Sequence, residues 1–214
     1  MKIHSFHQYG NVKLTSKDDI VLMADSRRLY DASGNLVFCY RDHDKTYEED
    51  MKEWSAASIS LFLDMISVNQ PQEPKADLIS IFELADICRT CESPTNYRQL
   101  VKNAMIPKSV KKNCQWALLL HATHDEDEAF FKSSLRHMKQ EAFLFPIIFD
   151  RENREFKSVS LWEAINAANP YWHDDLRKLV QSVLILPDQR TGPFVITTTA
   201  DWKKVADEFD YRQS

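Results

Sequence analysis

The chain has 214 residues, 43% of them apolar and 28% charged, a balance that excludes wholesale disorder and supplies ample material for a hydrophobic core. Lysine and arginine number 27 against 32 aspartates and glutamates, and the net charge of −5 argues against bulk nucleic-acid binding. The glycines are three, Gly10, Gly34 and Gly192, and their isolation excludes the glycine-rich phosphate cradles of Rossmann, P-loop and kinase types.

The opening residues, Met1-Lys2-Ile3-His4-Ser5-Phe6-His7, lack the apolar stretch of a secretory signal. The next pattern predicts a hairpin over residues 20–40. Ile20-Val21-Leu22-Met23 and Leu36-Val37-Phe38-Cys39-Tyr40 are strand-like, and Asp31-Ala32-Ser33-Gly34-Asn35 has turn chemistry. A helix follows, capped by Asp44 or Thr46, with Glu48, Glu49 and Asp50 in its first turn. Its apolar face is Met51, Trp54, Ser58, Leu61, Phe62 and Met65. Pro71 and Pro74 break the chain. Residues 76–91 form a second helix with Leu78, Ile81, Phe82, Ala85 and Cys88 on one face, stopped by Pro94. Residues 96–112 form a third, interrupted at Pro107.

Trp116-Ala117-Leu118-Leu119-Leu120 is a continuous apolar run of strand length. Residues 129–142 read as an amphipathic helix with Phe130, Phe131, Leu135 and Met138 inward, and residues 143–149 as a second apolar strand containing Pro146. Apolar run, helix, apolar run is the pattern of a βαβ unit in a parallel sheet buried on both faces. Ser160 caps a short helix over 161–168, and Asp174-Asp175 open another over 176–183. Residues 194–199 read as a strand, and 201–209 as a helix with Trp202, Val205 and Phe209 on one side. The expectation is a single α/β domain over 1–214: a hairpin region at 1–35, a core with a mainly parallel central sheet and flanking helices at 36–185, and a strand–helix extension at 186–214.

Chemistry concentrates after the 116–120 run. His121, Thr123 and His124, then Asp125-Glu126-Asp127-Glu128, leave the carboxyl end of the expected strand, where open α/β sheets bind ligands. Such groups serve proton transfer or hold a metal. The structural alternative is a capping box, with Asp125 as N-cap and Glu128 three residues on. His121-Ala122-Thr123 is similar to the H-x-T element of two-histidine phosphoesterases, which need a second copy; neither His4-Ser5-Phe6 nor His137-Met138-Lys139 supplies it. Cys88, Cys91 and Cys114 beside His121 and His124 are zinc-ligand types at the wrong spacing, so no metal is expected. With Cys39 they are read as reduced thiols of a cytoplasmic protein. Glu155-Phe156-Lys157 has the E-x-K form of metal-dependent nucleases, with Asp150 five residues before it, too close for their partner aspartate. Arg98, Lys102, Lys108, Lys111 and Lys112 form a basic stretch, a solvated helix face or a site for an acidic partner. No run approaches the roughly 20 apolar residues of a membrane span.

Val37-Phe38-Cys39-Tyr40-Arg41-Asp42-His43-Asp44 resembles the opening strand F-I-S-Y-R-x-x-D of TIR domains, with Tyr40, Arg41 and Asp44 matching. Met105-Ile106-Pro107-Lys108-Ser109 is similar to that family's A-I-x-x-S, and Phe145-Pro146-Ile147 to its I-P-I strand. The resemblance covers residues 36–185 and implies a flavodoxin-like sheet used for signalling assembly or, in some members, for NAD cleavage. It makes Glu128 the nearest candidate for the catalytic glutamate, with His121 and His124 beside it. Residues 78–94, helical in period and without glycine, depart from the family.

Two functions follow as expectations. The first is a non-enzymatic interaction or regulatory protein without a cofactor, binding a protein partner and neither membrane nor nucleic acid. Its exposed anchors are Tyr171 and Trp172 after Pro170, with Trp202, and Arg41 as a further binding residue. The alternative is a TIR-like enzyme that cleaves NAD or another nucleotide, with Glu128 stabilising a ribosyl cation.

Overall fold

The computed structural model describes residues 2–33, 45–184 and 200–209. The class is α/β, as expected, with a mixed four-stranded sheet, a two-stranded sheet and helices. The chain divides into two compact units, Met1–Met105 and Ile106–Ser214.

The first unit carries the larger sheet, in the order β1 (Lys2–Ile3), β3 (Ile20–Ala24), β2 (Val12–Ser16), β4 (Tyr47–Met51). Strands β1 and β3 pair in parallel, as do β2 and β4, while β2 and β3 are antiparallel with Leu14 opposite Leu22. Val12 and Leu14 turn into the core, and Lys13 and Thr15 alternate with them. The β2–β3 turn closes on Ser16, whose hydroxyl donates to Ile20 O at 2.9 Å, with Asp19 at φ 56°. Gly10 meets the hairpin's far end at φ 146°; a Cβ there would lie 2.1 Å from Ala24 O.

Two expectations for this unit are corrected. Strand Ile20–Ala24 forms, but β2 is its hairpin partner, and Leu29 and Tyr30 lie in helix α1 (Ser26–Asp31). The run 36–40 lies outside the described residues. Residues 47–51 are strand, not helix: Tyr47, Glu49 and Met51 alternate with exposed Glu48 and Asp50, a period of two that β2 pairs with. Helix α2 (Ala56–Ile66) begins only at its N-cap, Ser55.

That cap is unusual in its partner. Ser55 Oγ accepts the N–H of Ser58, as an N-cap should. The carboxylate that a capping box would supply from the same helix comes instead from α3 (Leu78–Thr90). Glu83 Oε2 accepts the Ser55 N–H at 3.2 Å and the hydroxyls of Ser55 and Ser58 at 2.5 Å each. Glu83 is buried, as are Ile59, Phe62, Ile81 and Leu84 on the two helices. Helix α4 (Thr95–Lys111) runs without interruption through Pro107.

The second unit overturns the expected βαβ element. Residues 116–120 belong to helix α5 (Gln115–His124), of which Gln115 through Thr123 are all buried. A helix buried on every side has no polar stripe, so its apolar run carries no period of 3.6. Alanine and leucine, with no β-branched residue before Thr123, favour the helix. The helix expected over 129–142 is two, α6 (Glu128–Arg136) and α7 (Gln140–Leu144), with Phe130, Phe131, Leu135 and Met138 buried as expected. Pro146 has no N–H to give a ladder, and strand β5 (Ile147–Asp150) starts after it. It pairs antiparallel with β6 (Glu155–Ser158), with Phe149 facing Phe156.

Ser160 caps α8 (Leu161–Asn166) in a full capping box with Glu163. A 3-10 turn, Pro170–Trp172, leads into α9 (His173–Val183), and Asp201 caps α10 (Trp202–Glu208). The strand expected over 194–199 lies outside the described residues. The core of this unit is aromatic: Phe131 lies 4.8 Å from Trp172 and 4.7 Å from Phe209, centroid to centroid.

Candidate functional site

The segment His121–Glu128 is a helix–helix corner. Because α5 runs to His124, Asp125 is its C-cap, with its N–H on His121 O and Thr123 O. Asp127 is the N-cap of α6 and accepts the Phe130 N–H at 2.8 Å. The expected capping box of Asp125 and Glu128 is thus corrected: the cap falls two residues later.

His121 faces inward and is only 3% exposed. Its Nε2 lies 3.3 Å from Asp125 Oδ2, and Arg151 Nη2 donates to its Nδ1 at 3.4 Å. A guanidinium only donates, so Nδ1 holds the lone pair and Nε2 carries the proton toward Asp125. The ring also stands edge-on to Phe130, 6.2 Å away. Arg151, on the β5–β6 turn, is a residue that sequence reasoning missed; nothing in local spacing connects it to His121. Thr123 donates to Leu120 O at 2.9 Å and accepts the Asn169 N–H at 3.3 Å.

The other two members of the expected constellation point elsewhere. His124 is exposed. Glu128, half-buried, holds Lys132 one turn along at 2.7 Å. The corner therefore orients a neutral imidazole between an acid and a guanidinium and anchors the hairpin turn to α5.

The remaining motifs resolve individually. Cys88, Cys91 and Cys114 are buried, and burial pushes the Cys91 thiol up to about 12; Cys39 lies outside the described residues. Among the described residues no group of three or more histidine, cysteine, aspartate or glutamate side chains could hold a metal. Asp150 and Glu155 face each other across the hairpin, and Lys157 Nζ reaches Asp150 Oδ2 at 2.6 Å. That ammonium, with the Asn153 amide, holds the Asp150 carboxyl well below the usual range, and Asp150 in turn raises Lys157. In the basic stretch Lys102 is buried, while Arg98, Lys111 and Lys112 are exposed.

The anchors expected after Pro170 divide. Tyr171 is 78% exposed, whereas Trp172 is fully buried against Phe131 and Phe209, a correction to its expected exposure. A tryptophan beside a 3-10 turn fills the core, and the side chain next to it is thereby sent to solvent. Trp202 is half-buried, 4.7 Å from Phe143. Arg41 lies outside the described residues. Sequence reasoning missed Phe145 and Trp162, 67% and 56% exposed. Val159 N–H donates to Pro146 O at 3.0 Å, so both leave the same end of the β5–β6 hairpin. Among the described residues one concavity of 530 Å³ lies between α9 and α10, and in the first unit one of 330 Å³ lies beside the 67–75 loop. Among the described residues no helix is long and apolar enough to cross a membrane. No family model, curated protein or solved structure matches the chain.

Proposed function

We propose that this chain is a non-enzymatic interaction protein that regulates by docking another protein. The observation that carries the reading is the exposure of Tyr171, Phe145 and Trp162 on a unit in which Trp116, Phe130, Phe131, Phe143, Trp172 and Phe209 are buried. Exposed aromatics suit docking, because rigid rings give contact area at low entropic cost. Tyr171 is held ready for this: Asn169 Oδ1 accepts its N–H at 3.2 Å, Pro170 fixes the turn, and buried Trp172 pins it from behind. In this reading Trp172 is the internal anchor and Tyr171 the external one. The buried, reduced thiols of Cys91 and Cys114 support a cytoplasmic setting.

The competing reading is a TIR-like enzyme that cleaves NAD or another nucleotide, and it needs Glu128 to face a ribosyl cation. Glu128 is engaged by Lys132, and His124 is turned to solvent. Affinity capture with the full chain, compared with a Tyr171→Ser/Trp162→Ser variant of equal thermal stability, tests the proposal. A specific partner retained by the wild type and lost from the variant is the expected result. Retention unchanged by the two substitutions, or NAD turnover by the wild type that Glu128→Gln abolishes, contradicts it.

A further inference from the structure

The second unit carries a concentration of positive charge that the fold does not use. No aspartate or glutamate occurs in residues 93–124. Burial accounts for the absence over 115–123, and over 93–114 the chain's 32 acids in 214 residues would place about three. None occurs in 129–140 either. The structure brings the ends of these two segments together. Lys139 Nζ, on the turn between α6 and α7, donates to Val110 O at 2.9 Å and Asn113 Oδ1 at 3.1 Å at the end of α4. Gln115 Nε2 donates to His137 O at 3.2 Å beside it. Lys108, Lys111, Lys112, His137 and Lys139 thereby share one surface, and all but half-buried Lys108 are exposed.

Helix capping accounts for only part of this. Cations favour a helix C-terminus, but Lys139 already occupies the open carbonyl of Val110. Lys108 and Lys112 stand four residues apart on one face, a like-charge spacing that costs helix stability. Several other cations are matched: Lys13 with Glu48, Lys132 with Glu128, Arg136 with Asp207, Lys157 with Asp150. Among the described residues Lys108, Lys111 and Lys112 form no ion pair.

We infer that this α4-terminal lysine cluster is the docking site for an acidic, aspartate- and glutamate-rich segment of the partner protein. The inference rests on the interaction-protein reading above and adds the partner's chemistry to it. A short protein segment fits better than nucleic acid for two reasons. The chain's net charge of −5 repels a long polyanion. Apart from the His137 ring, these residues include no exposed tryptophan, tyrosine or phenylalanine to stack a base.

The test is fluorescence anisotropy of the full chain with a labelled Asp/Glu-rich peptide and, separately, a labelled single-stranded oligonucleotide of equal charge. The variant is Lys111→Glu/Lys112→Glu, since among the described residues neither side chain makes a hydrogen bond or an ion pair. The control is Lys17→Glu/Lys75→Glu, two exposed positions in the first unit that change net charge identically. The expected result is peptide binding that weakens about tenfold or more in the cluster variant and about threefold or less in the control, and that falls with added salt. Absence of peptide binding by the wild type, equal loss in the two variants, or tighter binding of the oligonucleotide overturns the inference. Partner capture separates the two claims: a partner lost with Tyr171 and Trp162 but indifferent to the lysine reversal removes this site and leaves the interaction reading standing.

Discussion

Replacing Glu83 by alanine is the most demanding perturbation of the first unit. The carboxylate accepts three hydrogen bonds from the start of α2, two of them from hydroxyls at 2.5 Å, and both Glu83 and Ser58 are buried. Breaking such a set removes charge-assisted bonds and leaves the Ser58 hydroxyl and the Ser55 amide without their acceptor. The loss should be about 3–5 kcal/mol, against the roughly 5–15 kcal/mol that hold a domain folded. Glu83→Gln keeps the volume and one acceptor oxygen and should cost about 1–2 kcal/mol. Urea unfolding followed by circular dichroism gives the magnitudes. Hydrogen exchange gives the place: protection should fall first over α2 and α3. An alanine variant within about 1 kcal/mol of wild type, or a glutamine variant as unstable as alanine, refutes the reasoning that a carboxylate from one helix completes the cap of another.

Three further outcomes are expected. Gly10→Ala should destabilise by more than about 2 kcal/mol, because the new Cβ meets backbone atoms that cannot move aside, and thermal melting reads it. Burial holds His7 below the ordinary histidine value, against the opposing pull of Asp64 at 3.3 Å and with His4 adding repulsion. The neutral ring is the folded form, so its stability contribution is present above about pH 6.5 and is lost as pH falls through the folded value. The melting temperature should drop more on acidification in the wild type than in His7→Gln. In a Cys39→Ser background, native protein at about pH 8 should resist thiol reagents and release its thiols only on unfolding, because the buried Cys91 and Cys114 are both raised.

The elements legible in the sequence were those with a distinctive edge or end. Ser160 and Asp201 announce their helices as caps, and the 78–90 helix shows its spacing despite deep burial. Three features hid the rest. Helix α5 has no polar face, so length and burial imitate a strand. Strand β4 presents its acids in a two-residue alternation that also suits a helix's first turn, and only pairing with β2 decides between them. Strand β2 is short but regular, Val12-Lys13-Leu14-Thr15, and its period was there to be read. The candidate site was legible in composition alone. His121 and Asp125 meet because four residues span one turn, but Arg151 arrives from a hairpin that no local pattern connects to them. The exposure of Tyr171 and the burial of Trp172 follow from the turn that carries both, and a string of adjacent aromatics does not say which faces in.

In the proposed reading Tyr171, Phe145 and Trp162 are the exposed side chains through which the chain docks its partner. The most direct measurement is the affinity of the purified full chain for its captured partner, by titration calorimetry, in wild type and in Tyr171→Ser/Trp162→Ser. The account expects a saturable complex with a negative heat-capacity change from buried apolar surface, weakened at least about tenfold in the variant with its melting temperature unchanged. An affinity that the two substitutions leave unaltered contradicts it.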